Sequence, residues 1–386
     1  MPAAERPCFL FCGGGTGGHL TPGLASAEEI RRRLPHARLI FAGTGRQDER
    51  QWVLRHGFEF VRATSAPWGL GPVRTARFLT CNAAGVAGAL ALQARLRPAA
   101  VVGLGGYGAL APGLAAALVG RPLVLLEQNA IPGKANRMLS RWAREVLCAW
   151  EEAREGLRRP ERAIVTGNPI RRELREPVDR QAAAQRFGLD PAKRTLLVMG
   201  GSQGAAALNL AVAEALGLLG DCADWLQAIH ATGQPTFEPV RAAYMTSGLR
   251  HCVKPFFQDM ASAYAAADFV LCRAGGTSLA EIAAAGLPAA LVPLPIAAED
   301  HQRENARILE RAGAAVLVDQ KDLTPHAVAD LVRSHLGDER RREKMAAASL
   351  ALGRSDAAGS VAERLLAMME ETAAESSGVE SPQVAD

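Results

Sequence analysis

The chain has 386 residues, 48% of them hydrophobic, which is enough to bury the cores of about two domains. Its formal net charge is only +4 and its arginines are scattered along the chain, which argues neither for nor against nucleic acid, and we predict no nucleic-acid partner. The seven cysteines form no Cys-x-x-Cys pair, a pattern typical of a reduced, cytosolic protein. The N-terminal residues lack the apolar core of a secretory signal, and the most apolar run, 83–92, is too short to span a membrane.

Short apolar runs alternate with helical patterns from one end of the chain to the other. This alternation predicts an α/β fold with two Rossmann-like, doubly wound parallel sheets, which we expect to face each other across a cleft. The predicted strands are 8–12, 38–42, 58–61, 99–103, 123–126, 146–149, 163–166, 195–199, 225–230, 251–253, 269–272, 289–292 and 314–318. The predicted helices include 22–34, 47–55, 83–95, 109–119, 205–218, 278–285 and 301–312, with Pro22 in the first turn of the first one.

A linker is predicted where Gly167-Asn168-Pro169-Ile170 leads into the charged stretch 171–180. We therefore predict an N-terminal domain over 1–170 and a C-terminal domain over 171–356. An amphipathic helix over 357–371 is expected to pack back on the N-terminal domain. The small, polar tail 372–386 is expected to be disordered.

Three glycine-rich turns, each between a predicted strand and a helix, are the most informative feature. They occupy 13–18, 103–108 and 200–204. Glycine lets the backbone approach a ligand closely, and the helix that follows adds the positive end of its dipole. The turns predict sites for a phosphorylated ligand, although each turn alone could be only a tight connection. His19 follows the first turn, where it could be a base or an anion contact, or a structural histidine.

Polar residues follow other predicted strands at the edge where α/β folds bind ligands. Glu127-Gln128-Asn129 ends one strand, with a loop-capping role for Asn129 as the alternative. In the stretch 272–281 a Gly-Gly turn precedes a helix whose amide groups could hold a phosphate. Glu281 could there accept hydrogen bonds from ribose hydroxyls, or simply stabilise the helix. His301 and Gln302 open another helix, after an Asp300 that could be only an N-cap.

Several kinds of site are disfavoured. The second predicted strand ends at Phe41-Ala42-Gly43-Thr44 without the acidic residue of a dinucleotide fingerprint, which argues against a nicotinamide or flavin site. No His/Cys cluster has metal-ligand spacing, and no P-loop lysine motif or Gly-x-Ser-x-Gly elbow occurs. We predict neither a metal nor a cofactor.

Six motifs together resemble the MurG family of undecaprenyldiphospho-muramoylpentapeptide β-N-acetylglucosaminyltransferases. They are 13–19, 103–108, 127–129, 166–171, 200–204 and 275–286, in the family's order, and the resemblance covers about 9–367. It implies a metal-free, inverting GT-B glycosyltransferase of peptidoglycan and cell wall biogenesis. The donor would be UDP-N-acetylglucosamine, the acceptor lipid I and the product lipid II.

The resemblance also implies roles for individual residues. His19 is the candidate general base. The acceptor diphosphate would lie against Gly14, Gly15, Gly105, Gly106 and Tyr107. The donor would be held by Thr16, Gly17, Gly18, Asn129, Arg171, Ser202, Phe257, Gly276, Thr277, Ser278, Glu281, His301 and Gln302, with Thr16 to Gly18 also facing the acceptor.

The stretch 68–79 mixes apolar residues with arginines, as surfaces that rest on anionic membranes do, although an ordinary amphipathic helix has the same pattern. The family has a membrane-docking patch near this position. The resemblance therefore implies peripheral binding at the cytoplasmic face of the inner membrane, and contacts with other cell-wall and division proteins. The expected patch residues are Leu70, Val73, Arg74, Arg77, Phe78 and Leu79, and Lys134 lies in a second basic region.

Three alternatives remain open at this stage. A sugar-nucleotide 2-epimerase would share the donor half but lack the membrane patch and release free sugar. A dinucleotide-dependent oxidoreductase is disfavoured by the missing acidic residue. A non-catalytic nucleotide-sensing module would need neither His19 nor a complete donor site.

Overall fold

The computed structural model describes residues 6–15, 17–67, 71–200, 204–295 and 300–377, with the side chains of 373–377 excepted. The chain divides into two compact units. Unit 1 contains Met1–Arg171 and Asp356–Asp386, and unit 2 contains Arg172–Ser355. The charged stretch after Ile170 thus begins at the division between the units.

Each unit is built on one parallel sheet. In unit 1 seven strands lie in the order β3-β2-β1-β4-β5-β6-β7, and in unit 2 six strands lie in the order β10-β9-β8-β11-β12-β13. The strands are β1 Cys8–Cys12, β2 Arg38–Gly43, β3 Glu59–Arg62, β4 Ala100–Gly103, β5 Leu123–Glu127, β6 Glu145–Cys148, β7 Ala163–Val165, β8 Arg194–Met199, β9 Leu226–Ala231, β10 Arg250–Lys254, β11 Phe269–Cys272, β12 Ala289–Leu291 and β13 Ala315–Leu317. The predicted class, two doubly wound Rossmann-like sheets, is confirmed, and every predicted strand is present within two residues of its predicted ends.

Helices cover the sheets on both faces. They are α1 Gly17–Arg33, α2 Gln47–Arg55, α3 Pro72–Leu96, α4 Leu110–Leu118, α5 Lys134–Leu139, α6 Arg180–Arg186, α7 Ala206–Ala215, α8 Phe237–Thr246, α9 Met260–Ala266, α10 Gly276–Ala284, α11 His301–Arg311, α12 Pro325–Leu331, α13 Glu339–Leu352 and α14 Ala357–Ser377. In β1 the side chains of Phe9 and Phe11 enter one core, while Cys8, Leu10 and Cys12 enter the core on the opposite face. Burial on both faces explains why this strand is a continuous apolar run.

The position predicted for Pro22 is wrong. Helix α1 begins at Gly17, so Pro22 lies inside the helix and not in its first turn. A proline there removes one backbone donor. Burial of Leu20, Leu24 and Ala27 against the sheet stabilises the helix in spite of it.

The C-terminal helix completes the core of unit 1. Val361, Ala362, Leu365 and Met368 of α14 are buried in the same cluster as Phe9 and Phe11 of β1. Arg364 also pairs with Glu145 at the start of β6.

The prediction of disorder from residue 372 was wrong for 372–377, because α14 extends to Ser377. The run Glu371-Thr372-Ala373-Ala374-Glu375 contains several strong helix formers and continues the helix. The Thr372 hydroxyl donates a 2.8 Å hydrogen bond to the Met368 carbonyl one turn back. The rest of the predicted tail, 378–386, lies outside the described residues.

Candidate functional site

In unit 1 two glycine-rich turns meet where the strand order reverses. Strand β1 pairs with both β2 and β4, so the turns after β1 and β4 lie side by side at the carboxyl edge of the sheet. This is the position at which open α/β sheets bind their ligands. The predicted acceptor residues Gly14, Gly15, Gly105 and Gly106 all lie in this pair of turns.

The two turns are in direct backbone contact. The Gly14 amide donates to the Gly105 carbonyl at 3.4 Å, and the Gly13 amide donates to the Ala42 carbonyl at 3.1 Å. A Cβ atom on Gly13 would come within 2.4 Å of the Gly105 carbonyl oxygen. A side chain at position 13 would therefore push the two turns apart.

His19 lies against the second turn. Its position in the first turn of α1 brings the imidazole beside Gly105. A Cβ atom on Gly105 would lie 2.7 Å from His19 Cδ2, 3.2 Å from His19 Nε2 and 3.6 Å from Asn136 Nδ2. The imidazole, the glycine backbone and the amide of Asn136 thus converge at one point of the site. Thr16, two residues before Gly18, is outside the described residues, while Gly17 and Gly18 form the start of α1.

A buried carboxylate arranges the loop that carries Asn129. Glu127, at the end of β5, accepts hydrogen bonds from the Asn129 amide, the Gly133 amide and Asn136 Nδ2 at 3.0, 3.1 and 2.9 Å. Burial raises the pKa of the Glu127 carboxyl, and these hydrogen bonds oppose that shift. Gln128 Nε2 donates to the Leu104 carbonyl at 3.2 Å and so ties this loop to the second glycine turn.

Glu49 belongs to this site but was missed in the sequence. Glu49 of α2 is 5% exposed, and its carboxylate lies beneath the first glycine turn. Cβ atoms on Gly14 and Gly43 would come within 2.6 and 2.3 Å of Glu49 Oε1. Thr44 Oγ1 donates to Glu49 Oε2 at 2.9 Å. The only available signal was an acidic residue in a short helix after β2, a feature of most surface helices.

Unit 2 repeats the arrangement. Strand β8 pairs with both β9 and β11, so the turns after β8 and β11 adjoin at the carboxyl edge of the sheet. The first of them closes tightly, because a Cβ atom on Gly200 would lie 2.3 Å from the Ala205 amide nitrogen. Ser202, predicted to bind the donor diphosphate, lies outside the described residues.

Helix α10 begins at the second of these turns. Gly275 is its N-cap and has no side chain to cap the helix, while Gly276, Thr277 and Ser278 form the first turn. Backbone amides at a helix N-terminus point outward and attract anions. Glu281, one turn further on, is 5% exposed, and its Oε2 accepts a 3.0 Å hydrogen bond from the Tyr264 hydroxyl of α9. Tyr264 was not anticipated, because no motif in the sequence marks the segment of α9 as part of a site.

Helix α11 adjoins the start of α10. Asn305 Nδ2 donates to the Ala274 carbonyl at 3.1 Å, and Gln302 Oε1 accepts from the Leu294 amide at 3.0 Å. His301 and Gln302 occupy the first turn of α11 and are half-buried. The preceding Asp300 does occupy the N-cap position, but its side chain does not cap the helix and instead accepts from Arg303 at 3.0 Å.

The remaining predicted donor contacts differ in accessibility. Phe257 is only 4% exposed and packs edge-on against Phe187, with ring centroids 5.5 Å apart. Its ring therefore offers little surface for stacking on a base. A contact between Phe257 and the donor would have to come from the Phe257 backbone. Arg171 is the last residue of the first segment of unit 1. Tyr107, which was predicted to contact the acceptor diphosphate, lies in the second glycine turn and is 37% exposed.

The predicted membrane patch is the start of a long helix. Helix α3 begins at Pro72 and runs to Leu96, so it includes 72–82 in addition to the predicted 83–95. Val73 and Leu79 are 80% and 59% exposed, and Arg74 and Arg77 are exposed as well. Phe78 instead packs partly against the core of unit 1, and Leu70 lies outside the described residues.

Two further properties concern metals and membranes. Within the described ranges, no group of three or more His, Cys, Asp or Glu side chains is arranged to hold a metal ion. In the same ranges no helix combines the length and the apolar character that crossing a bilayer requires.

Family models match both units. Residues 9–148 match the N-terminal domain of glycosyltransferase family 28, and residues 195–361 match its C-terminal domain. A structural comparison finds MurG of Acinetobacter baumannii, with a TM-score of 0.75 and 29% identity over 94% of this chain and all of that one. A UDP-N-acetylglucosamine 2-epimerase of Listeria monocytogenes, described as putative, has a TM-score of 0.65 at 16% identity, which shows a shared fold only.

Two relatives that align over nearly their full length are both named UDP-N-acetylglucosamine--N-acetylmuramyl-(pentapeptide) pyrophosphoryl-undecaprenol N-acetylglucosamine transferase. The relative from Nitratidesulfovibrio vulgaris is 41% identical over 373 residues, covering 93% of this chain and 97% of the relative. That from Chlorobaculum tepidum is 40% identical, with coverage of 93% and 98%. The chain is thus a glycosyltransferase of family 28 and belongs to the MurG family within it.

Proposed function

We propose that this chain transfers N-acetylglucosamine from UDP-N-acetylglucosamine to lipid I, producing lipid II and UDP for peptidoglycan biosynthesis. The observation that carries the proposal is the 41% identity over 93% of the chain with a transferase named for this reaction. The geometry of both units supports it, because each has adjoining turns suited to phosphates at the point where its strand order reverses.

We assign the donor to unit 2. The N-terminus of α10 would hold the donor diphosphate with backbone amides, and the carboxylate of Glu281 would accept from the ribose hydroxyls. His301 and Gln302 would contact the sugar or the diphosphate. The amides supply fixed dipoles that stabilise the charge developing on the departing UDP, so the proposed reaction needs no metal.

We assign the acceptor diphosphate to the paired glycine turns of unit 1. The hydroxyl of the muramoyl sugar would form a bond to the anomeric carbon as the bond from that carbon to the UDP oxygen breaks, which inverts the configuration. The hydroxyl proton needs a base, and His19 is the proposed one. Its imidazole lies beside Gly105, whose carbonyl oxygen accepts from the Gly14 amide in the same pair of turns.

We assign peripheral membrane contact to the first two turns of α3. Val73 and Leu79 are exposed apolar side chains, and the exposed Arg74 and Arg77 between them suit an anionic lipid surface. This surface would bring the protein to its acceptor at the cytoplasmic face of the inner membrane. Binding of the purified chain to vesicles with and without anionic lipid tests it, with the variant V73E/L79E expected to bind less.

The deciding experiment measures transfer of labelled N-acetylglucosamine from its UDP donor into a lipid I analogue that is extractable into butanol, with EDTA present. Transfer that survives EDTA is the expected result. Binding of the donor without transfer to the lipid, together with release of free sugar, would point to the epimerase reaction instead.

The assignment of His19 has its own test. His19→Ala should lower turnover by about 10²–10⁴-fold, the usual contribution of a general base, while the affinity for the donor stays within a few-fold. Unchanged turnover in the variant would contradict the assignment.

A further inference from the structure

A groove of about 390 Å³ lies on unit 1, between α3, α4 and the ends of β2 and β3. This volume is in the range of small-molecule sites. None of the residues predicted for the active site or the membrane patch lines it. Its lining residues are Ala42, Val61, Arg62, Ala63, Thr64, Ala84, Gly85, Gly88, Ala89, Ala91, Leu92, Arg95 and Pro112.

The groove is apolar at its floor and cationic at its rim. Ala42, Ala89 and Pro112 are buried, while Arg62 and Arg95 are exposed. In the described part of the chain, neither arginine side chain forms a hydrogen bond or an ion pair. An apolar trough flanked by two uncompensated cations complements a ligand with a hydrocarbon chain and an anionic group.

The walls are set by glycines in α3. A Cβ atom on Gly85 would lie 2.1 Å from the Thr64 carbonyl oxygen and 3.0 Å from Ala111 Cβ, so α3 touches both walls at that point. One turn further on, a Cβ atom on Gly88 would meet no atom within 4 Å. The space over Gly88 is therefore open, and glycine inside a helix costs about 1 kcal/mol relative to alanine.

The groove adjoins the paired glycine turns. Ala42 lies on the floor of the groove, and its carbonyl oxygen accepts a 3.1 Å hydrogen bond from the Gly13 amide. The side chain of Arg62, on its rim, packs against Gly45, where a Cβ atom would lie 3.1 Å from Arg62 Cδ. Arg46, the neighbour of Gly45, donates to the Gly15 carbonyl at 2.8 Å. A hydrocarbon chain attached to a phosphate at the glycine turns would thus begin next to the groove.

We propose that this groove binds the first isoprene units of the acceptor's hydrocarbon chain, which are the units next to the diphosphate. The inference rests on the proposed function, because it takes the glycine turns as the diphosphate site. It adds that the enzyme, and not only the membrane, holds part of the lipid. Arg62 and Arg95 would favour a hydrocarbon chain that is attached to an anionic group.

The test measures binding of farnesyl diphosphate and of inorganic diphosphate to the full-length chain by calorimetry. The wild type should bind farnesyl diphosphate at least tenfold more tightly, because even two buried methylenes contribute that much. Gly88→Leu fills the groove and should abolish the difference while leaving inorganic diphosphate unchanged. The control Ala87→Leu alters an exposed neighbour in α3 outside the groove and should keep the difference.

Two results would overturn the proposal. One is a Gly88→Leu variant that still binds farnesyl diphosphate more tightly than inorganic diphosphate, while its thermal unfolding midpoint is no lower than that of the wild type. The other is displacement of farnesyl diphosphate by phosphatidylglycerol at equal concentration, which would assign the groove to membrane phospholipid. Neither depends on sugar transfer, so failure of the proposed function would be seen separately, in the labelled-donor assay.

Discussion

The contact between His19 and Gly105 gives the sharpest prediction about the site. Gly105 has φ of +92°, and a Cβ atom there would lie 2.7 Å from His19 Cδ2. Gly105→Ala should therefore cost about 1–2 kcal/mol of stability for the left-handed backbone, and displace the imidazole as well. If His19 is the general base, turnover should fall by about 10²-fold or more, with little change in donor affinity.

Gly120→Ala is the matched control. Gly120 also has positive φ, +67°, but a Cβ atom there would meet nothing within 4 Å. It should show a similar loss of unfolding free energy in urea and normal turnover in the labelled-donor assay. Equal turnover in the two variants would refute the reasoning, because the contact with His19 would then have no catalytic consequence.

Three further predictions concern other parts of the chain. Tyr264→Phe removes the hydroxyl that donates to Glu281, so binding of UDP should weaken about tenfold while binding of 2′,3′-dideoxy-UDP stays the same; equal weakening of both would indicate a merely structural role. Burial lowers the pKa of His230 to about 3, so between pH 6.5 and 3 the unfolded state binds a proton that the folded state does not. As pH drops, this group should therefore lower the unfolding free energy by about 1.4 kcal/mol per pH unit. Urea titrations of His230→Gln at several pH values should lack this contribution. The same pH dependence in the variant and the wild type would contradict the prediction. Leu365 of α14 is fully buried, so Leu365→Ala should destabilise unit 1 by about 2–5 kcal/mol. Leu366 is half-buried, so Leu366→Ala should destabilise it clearly less. Equal losses of stability in thermal unfolding of the two variants would argue against α14 as part of that core.

Local patterns were sufficient to predict the strands and their class. Continuous apolar runs such as Cys8–Cys12 indicate strands buried on both faces, and this property depends on the run itself. Glycines at 13–15 and 105–106 are likewise readable, because their positive φ angles are reserved for glycine by sterics. The helix ends were less predictable: α1 begins five residues before Pro22, since packing against the sheet outweighs the lost hydrogen bond.

By itself, the sequence determined two parallel sheets, the glycine turns at their edges and the resemblance to the MurG family. Only the tertiary structure decided which side chains meet there: the carboxylate of Glu49 beneath Gly14, the imidazole of His19 beside Gly105, and the Tyr264 hydroxyl on Glu281. Tyr264 and Glu281 are separated by 17 positions, and Gly105 and His19 by many more. Contacts of this kind depend on the order of strands in the sheet, which a local pattern of hydrophobic and polar residues does not encode.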